Sequence, residues 1–417
     1  MNLLLKSATI IDNSSPFHFQ KKDILIESGV ITKIANSIKN ETSIKEVKLD
    51  NLHISQGWFD TSVCFGEPGF EERETIENGL KTAGKSGFTA VAVNPNTHPV
   101  ADNKSAIEFI KNKANGFATS LYPIGNLTKD AESRDLAELF DMQNSGAIAF
   151  GDYNKPVSNA NLLKIGLLYA QNFNALIISF PQDDAIASNG LVNEEKNSTK
   201  LGLKGIPAMA EELQIVRDLF ILEYTGGKLH IPTISTAKSV KLIKDAKKKG
   251  LNVTCSVAAH HLVLTDDELM KFDSNTKTLP PLRTLKDTKA LIKGLNEGII
   301  DIITSDHNPI DIEHKKVEYE NAKFGTIGLE SLFGALNKVI ETETLITCLT
   351  VNPRNRFNIE NTSINEGEKA NLTLFNPDFE YEFTEANILS TSKNAVFLNK
   401  KLNGKVYGII SNNKIIL

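Results

Sequence analysis

Residues 57–103 read GWFDTSVCFGEPGFEERETIENGLKTAGKSGFTAVAVNPNTHPVADN. An apolar run closes near Val63, an amphipathic stretch covers Glu71–Lys85 with apolar residues at helical spacing, and a second apolar run fills 88–95. Short, near-continuous apolar runs suit parallel strands buried on both faces, and a helix between them supplies the crossover. The stretch therefore reads as one strand–helix–strand unit.

Working outward, the same alternation continues. Apolar runs occupy 53–63, 88–95, 120–127, 146–153, 175–181, 228–235, 252–259 and 299–307, most of them bounded by Gly, Pro or Asn. Amphipathic stretches at 131–145, 208–225 and 238–249 lie between later runs. Strand then helix, eight times over about 250 residues, predicts an α/β fold of the (β/α)8 TIM-barrel type. Chemistry in such a barrel sits at the C-terminal ends of the strands, here Asp60–Cys64, Asn94–Thr97, Gly151–Asn154, Ser179–Pro181, Pro232–Ile234 and Ser305–His307. The two ends of the chain read differently. Short strand-like runs recur, and Asn403-Gly404 and Asn412-Asn413 sit where tight turns belong. The expected organisation is a barrel over 53–358 and a small composite β-sandwich built from 1–52 and 359–417.

Composition narrows the function classes. The chain has 417 residues, 41% hydrophobic and 23% charged, with a formal net charge of -5. These are ordinary values for a globular protein. No basic stripe stands out, so nucleic acid is not an expected partner. No apolar run is long enough to cross a bilayer, and the N-terminus lacks a signal-peptide pattern. Cys64, Cys255 and Cys348 form no paired motif, which points to a reduced, cytoplasmic setting.

The 57–103 segment, then GIPAMAEELQIVRDL, VAAHHLVLTDDEL, LPPLRTLKD, GIIDIITSDHNP and KFGTIGLES, in that order, resemble the blocks of dihydroorotases of the longer bacterial type, within the amidohydrolase superfamily. The resemblance implies a zinc enzyme that interconverts dihydroorotate and N-carbamoyl-aspartate. A His-x-His on the first strand, a carboxylate after the fourth and histidines on the fifth and sixth hold the metal. An aspartate after the eighth is ligand and acid/base. Zinc lowers the pKa of bound water so that hydroxide attacks the amide carbon near neutral pH.

The sequence departs from that pattern at most of these positions. Ser62 and Cys64 stand at the His-x-His, Tyr153 at the bridging carboxylate (with Asp152 one step earlier), Phe180 at the strand-five histidine and Thr233 at the strand-six histidine. Gly66 replaces a substrate-binding arginine and Leu279 a substrate-binding asparagine. Asp306 and Asn96 remain, the first as a vestigial acid/base and the second as a vestigial substrate contact, and Arg283 is a further vestigial substrate contact. A stable zinc site needs three or four good donors. The expectation is therefore a dihydroorotase-like pseudoenzyme with no metal cofactor. In it, Asp306 would be a hydrogen-bonded closure of the barrel, and the alternation of a strand would put His230 on the opposite face from Thr233. Inactive homologues of this family serve as structural partners of aspartate carbamoyltransferase, so that enzyme is the partner the resemblance implies. Homo-oligomerisation is expected on the same ground. The alternative is a cyclic-amide hydrolase using a non-standard metal site around Cys64, Asp152 and Asp306.

Overall fold

The computed structural model describes residues 1–40 and 44–417. Eight parallel strands form a closed barrel: Trp58–Val63, Phe88–Val93, Ser120–Gly125, Ala149–Phe150, Ile177–Ile178, Leu229–Ile231, Val253–Ala258 and Ile302–Thr304. Each falls inside one of the eight apolar runs. A parallel bridge between Val63 and His307 joins the last strand to the first, where the Cys64 amide donates to the His307 carbonyl at 2.7 Å. Alternation along the strands sends Phe59, Ala90, Ala92, Ile124, Ala149 and Ile302 into the barrel interior, where they pack as one cluster. The opposite faces meet the surrounding helices in the largest core.

The helices follow the amphipathic stretches with trimmed ends. The first spans Ile76–Lys85, its N-cap Thr75 accepting from the Asn78 amide. The stretch at 131–145 yields only Leu139–Ser145, because Asp130, Ala131 and Ser133 take positive φ and break the turn before it. Ala208–Thr225 and Ala237–Lys248 lie where helical spacing put them.

Both ends of the chain enter one mixed sheet. Its order runs Lys414–Ile416, Lys400–Ser411, Leu372–Phe383, His53–Gln56, Leu3–Ile11, Lys21–Glu27 and Val30–Ala35, with Lys45–Val47 pairing to Leu3–Leu5. The composite of the two termini is as expected, and its strands are hydrogen-bonded in one continuous order. The 53–63 run also proves to be two strands. His53–Gln56 pairs with Leu372–Phe375 and Thr9–Ile11 in the terminal sheet, and the barrel begins at Trp58. Gly57 marks the change for a steric reason. A Cβ there would lie 1.9 Å from Asn371 Oδ1 and 2.2 Å from Thr89 Oγ1, so only glycine lets the chain pass from one sheet to the other. Near the C-terminus, Phe383, Ile388, Val396 and Phe397 pack with Leu264, Leu282 and Ile327, so part of the 359–417 segment covers the barrel.

Candidate functional site

The C-terminal mouth of the barrel is almost closed. Its cavity measures about 20 Å³, whereas two clefts on the outer surface measure about 760 and 770 Å³. A volume of that size holds about one water molecule. Ser62, Asn94, Tyr153, Phe180, Thr233 and Asp306 line it, each carried by a different strand end.

Two aspartates meet between the first and last strands. Asp60 does the closing. It accepts from the Ser62 amide at 3.1 Å, the Ser305 amide at 3.0 Å and the Thr304 hydroxyl. Asp306, expected in that role, makes a single long contact, accepting from Ser62 Oγ at 3.4 Å. Burial, with the charge of Asp60 adding to it, raises the Asp306 pKa well above the ordinary carboxylate value and favours the neutral acid. An aspartate held this way is a poor base.

Asn94 bridges the first strand, donating to Ser62 Oγ at 3.0 Å and to Cys64 Sγ at 3.7 Å. Burial, with Asp306 nearby, pushes the Cys64 thiol up to about 12. It stays protonated at neutral pH, and a protonated thiol is a poor nucleophile. The Tyr153 hydroxyl is buried beside that thiol without a hydrogen-bond partner, and burial raises its pKa well above the phenolic value. Asn96 also faces Cys64 rather than the cavity.

The alternative donor set does not come together. Asp152 lies outside the cavity, accepting from the amides of Leu127 and Thr128 at 3.0 and 3.1 Å, from Asn126 Nδ2 at 3.2 Å and from Thr128 Oγ1 at 2.5 Å. Four donors fix it to the loop after the third strand. Phe180 is buried and has no donor atom. Thr233 offers a neutral hydroxyl, a weak zinc donor. Among the described residues no group of three His, Cys, Asp or Glu side chains is placed to hold a metal ion. The zinc implied by the resemblance does not fit the residues present: one imidazole (His230), one carboxylate (Asp306), neutral hydroxyls and two aromatic rings line the cavity, and two good donors are not a tetrahedral set.

Three of these positions share a strained backbone. Tyr153, Thr233 and Asp306 have φ of 55°, 46° and 49°. For a β-branched residue such as Thr233 this is a genuine outlier, and strain of this kind costs about 1–3 kcal/mol per residue. It also corrects the expectation for His230. Strand six ends at Ile231, so alternation does not continue to Thr233, and both residues line the cavity. His230 lies 2.9 Å from Thr254 Oγ1 and 3.2 Å from Ser256 Oγ, and burial lowers its pKa well below the usual imidazole value.

Arg283 lies away from the mouth. Its Nη1 donates to Asn193 Oδ1 and the Ile206 carbonyl, both at 2.8 Å, and its Nε to Ser235 Oγ at 3.1 Å. The guanidinium is buried and committed to the protein. His261 bonds the carbonyls of Pro280 and Pro281 at 3.2 Å, and its neighbour His260 is equally buried. Reading the sequence missed Asn94 and Asp60. The only signal for either was its place at a strand end.

The chain matches a family model described as "Dihydro-orotase-like" over residues 53–239 and one described as "Amidohydrolase family" over 209–410. It is 38% identical to a protein named dihydroorotase from Pelotomaculum thermopropionicum, covering 100% of this chain and 99% of that one. It is 39% identical to another so named from Caldicellulosiruptor saccharolyticus, covering 99% and 98%. The L-hydantoinase (dihydropyrimidinase) of Arthrobacter aurescens superimposes with a TM-score of 0.86 at 18% identity, over 100% of this chain and 97% of that chain, a likeness of fold.

Proposed function

We infer the function from one premise: the chain belongs to the dihydroorotase family of amidohydrolases. We propose that within that family it is a pseudoenzyme, a barrel kept for its structure and without dihydroorotase turnover. One observation carries this reading. The strand ends that would hold a metal present Ser62, Tyr153, Phe180 and Thr233 around a cavity of about 20 Å³, with the Cys64 thiol buried beside Tyr153. Neither a hydroxide-generating metal nor a six-membered cyclic amide has a place there without rearrangement of the rings. The strain at 153, 233 and 306 lies at the same strand ends, where backbones of this kind cluster around sites.

The partner proposed for such a barrel is aspartate carbamoyltransferase, on the strength of the family resemblance. Its test is co-purification from the native host. Failure to recover that enzyme, together with its full assembly in a strain lacking this chain, would remove the partnership.

The test of the main reading is turnover. Protein purified from zinc-supplemented medium is assayed with dihydroorotate and, in the reverse direction, with N-carbamoyl-aspartate. The expected rate equals that of a buffer blank containing the same zinc. Saturable turnover that scales with protein would overturn the pseudoenzyme reading.

A second reading, a working cyclic-amide hydrolase, is favoured by a specific observation: full-length likeness to relatives named dihydroorotase at 34–39% identity. Under it, the barrel mouth opens and recruits donors that the present geometry keeps apart. Turnover abolished by Asp306→Ala would establish it.

A further inference from the structure

A cleft of about 360 Å³ opens where the terminal sheet meets the last two helices before residue 358, and it shares no residue with the cavity at the mouth. Gln56 forms part of its wall, one residue before the switch at Gly57 and so at the end of the first barrel strand opposite the mouth. Asp12 and Ser14, just beyond the strand Leu3–Ile11, continue the wall. Glu343, Ile346 and Val351 face them from the helices Thr342–Leu349 and Val351–Arg356. Small-molecule sites measure about 300–1,000 Å³, so this volume suits a ligand and not only a single water.

The polar groups of this wall are one-sided. Gln56 is 4% exposed, and its Nε2 donates to Asp12 Oδ1 at 2.8 Å and to Ser14 Oγ at 3.2 Å. Those bonds fix the amide, because the reversed amide would set its oxygen against a carboxylate. The Gln56 Oε1 atom is left buried without a donor, and a buried carbonyl carries a desolvation cost until a donor reaches it. Asp12, equally buried, is held by neutral donors: besides Gln56, the Ser14 amide at 2.9 Å, the Ser14 hydroxyl at 2.7 Å and the Ile364 amide at 2.7 Å. Glu343 stands half-exposed at the rim, with His18 Nε2 3.6 Å away, longer than a hydrogen bond. The cleft wall thus carries two carboxylates and no Lys, Arg or His.

An acceptor without a donor and two carboxylates without a cation in the wall call for a ligand that donates and is positive. An anion would be repelled, and a bare hard cation would need about six to eight oxygen ligands at once. The apolar side chains of Ile346 and Val351 suit a hydrocarbon body instead. We propose that this cleft binds a small primary alkylammonium ion. Its N–H donates to Gln56 Oε1, Asp12 and Glu343 balance its charge, and its hydrocarbon chain lies against Ile346 and Val351.

Isothermal titration calorimetry of the full chain at constant ionic strength tests this, with n-butylammonium chloride as the probe and n-butanol and sodium chloride as controls. The ammonium is expected to bind saturably with a Kd of about 1 mM or tighter, within what a ligand of about five non-hydrogen atoms can supply. The controls are expected to give no saturable heat. Glu343→Gln, at the exposed rim, is expected to weaken binding about threefold, as loss of a solvent-exposed ion pair does. Thr347→Phe puts a ring into the cleft from the helix Thr342–Leu349 and is expected to abolish binding, with an unchanged circular dichroism spectrum confirming the fold. No saturable binding of the ammonium up to about 50 mM would overturn the proposal. So would n-butanol binding as tightly as the ammonium, binding that survives in folded Thr347→Phe, or a folded Glu343→Gln that binds as the wild type does.

Discussion

Tyr153 brings a hydroxyl into the barrel mouth, where the weakly bonding Cys64 thiol is a neighbour and no nitrogen or oxygen forms a hydrogen bond with it. A buried, unpaired hydroxyl costs stability, and deleting it relieves that cost. Tyr153→Phe should therefore leave stability unchanged or raise it by about 1 kcal/mol in urea denaturation. A loss of 2 kcal/mol or more would show that the hydroxyl has a partner. His261 makes a second prediction. Burial pushes its pKa down to about 4, against 6.5 for the free side chain. The folded value is the lower one, so as pH falls the unfolded chain takes up this proton first. The stability tied to His261 is intact above pH 6.5 and is lost toward pH 4, by about 3 kcal/mol for a shift of this size. Denaturation of the wild type and of His261→Gln at pH 7 and pH 4 should show the gap between them moving by that amount in favour of the variant. A constant gap would contradict the assignment. At this scale the sequence was legible wherever identity alone decides chemistry: Phe180 cannot coordinate a metal in any fold. It was silent where placement decides. His230 reached the cavity because the strand stops at Ile231, and Asp60 rather than Asp306 took up the closing bonds because its carboxylate faces two amides and a hydroxyl.

The barrel strands were readable as elements because each is buried on both faces and so leaves a continuous apolar run, even where regular pairing lasts only two residues, as at Ala149–Phe150 and Ile177–Ile178. The switch at Gly57 was hidden because burial, not residue type, is what the two strands share. Polar residues stand in both strands, Ser55 and Gln56 before the glycine and Asp60, Thr61 and Ser62 after it, and all are buried, so polarity along 53 to 63 does not mark where one strand ends. Gly57→Ala tests that junction. The added methyl meets Asn371 and Thr89 well inside contact distance, and overpacking of this kind should cost about 3 kcal/mol of unfolding free energy. A variant as stable as the wild type would mean that the two sheets can move apart. Arg283 belongs to this scale too. It joins the segment after strand seven to Asn193, Ile206 and Ser235, and Arg283→Met should destabilise the fold by about 3 kcal/mol in the same measurement, because buried acceptors lose a charged donor. An unchanged stability would free Arg283 for a role toward a ligand.

In the whole molecule, a barrel and the sheet that ties its two termini together surround a mouth with a cavity of about 20 Å³. The core is continuous from strands to helices, the loops at the strand ends keep their strained turns, and the outer helices offer an apolar face. Family membership follows from the full length of the chain, whereas the proposed lack of turnover rests on a few residues at the strand ends, so overall likeness and local chemistry pull in different directions. The decisive quantity is zinc bound per chain at neutral pH, measured by equilibrium dialysis on wild type and on Asp306→Ala side by side. Less than about a tenth of an equivalent on both is the expected result, because tight zinc binding needs three or four good donors. One or more equivalents on the wild type, lost in Asp306→Ala, would place a metal centre in the barrel mouth and contradict it.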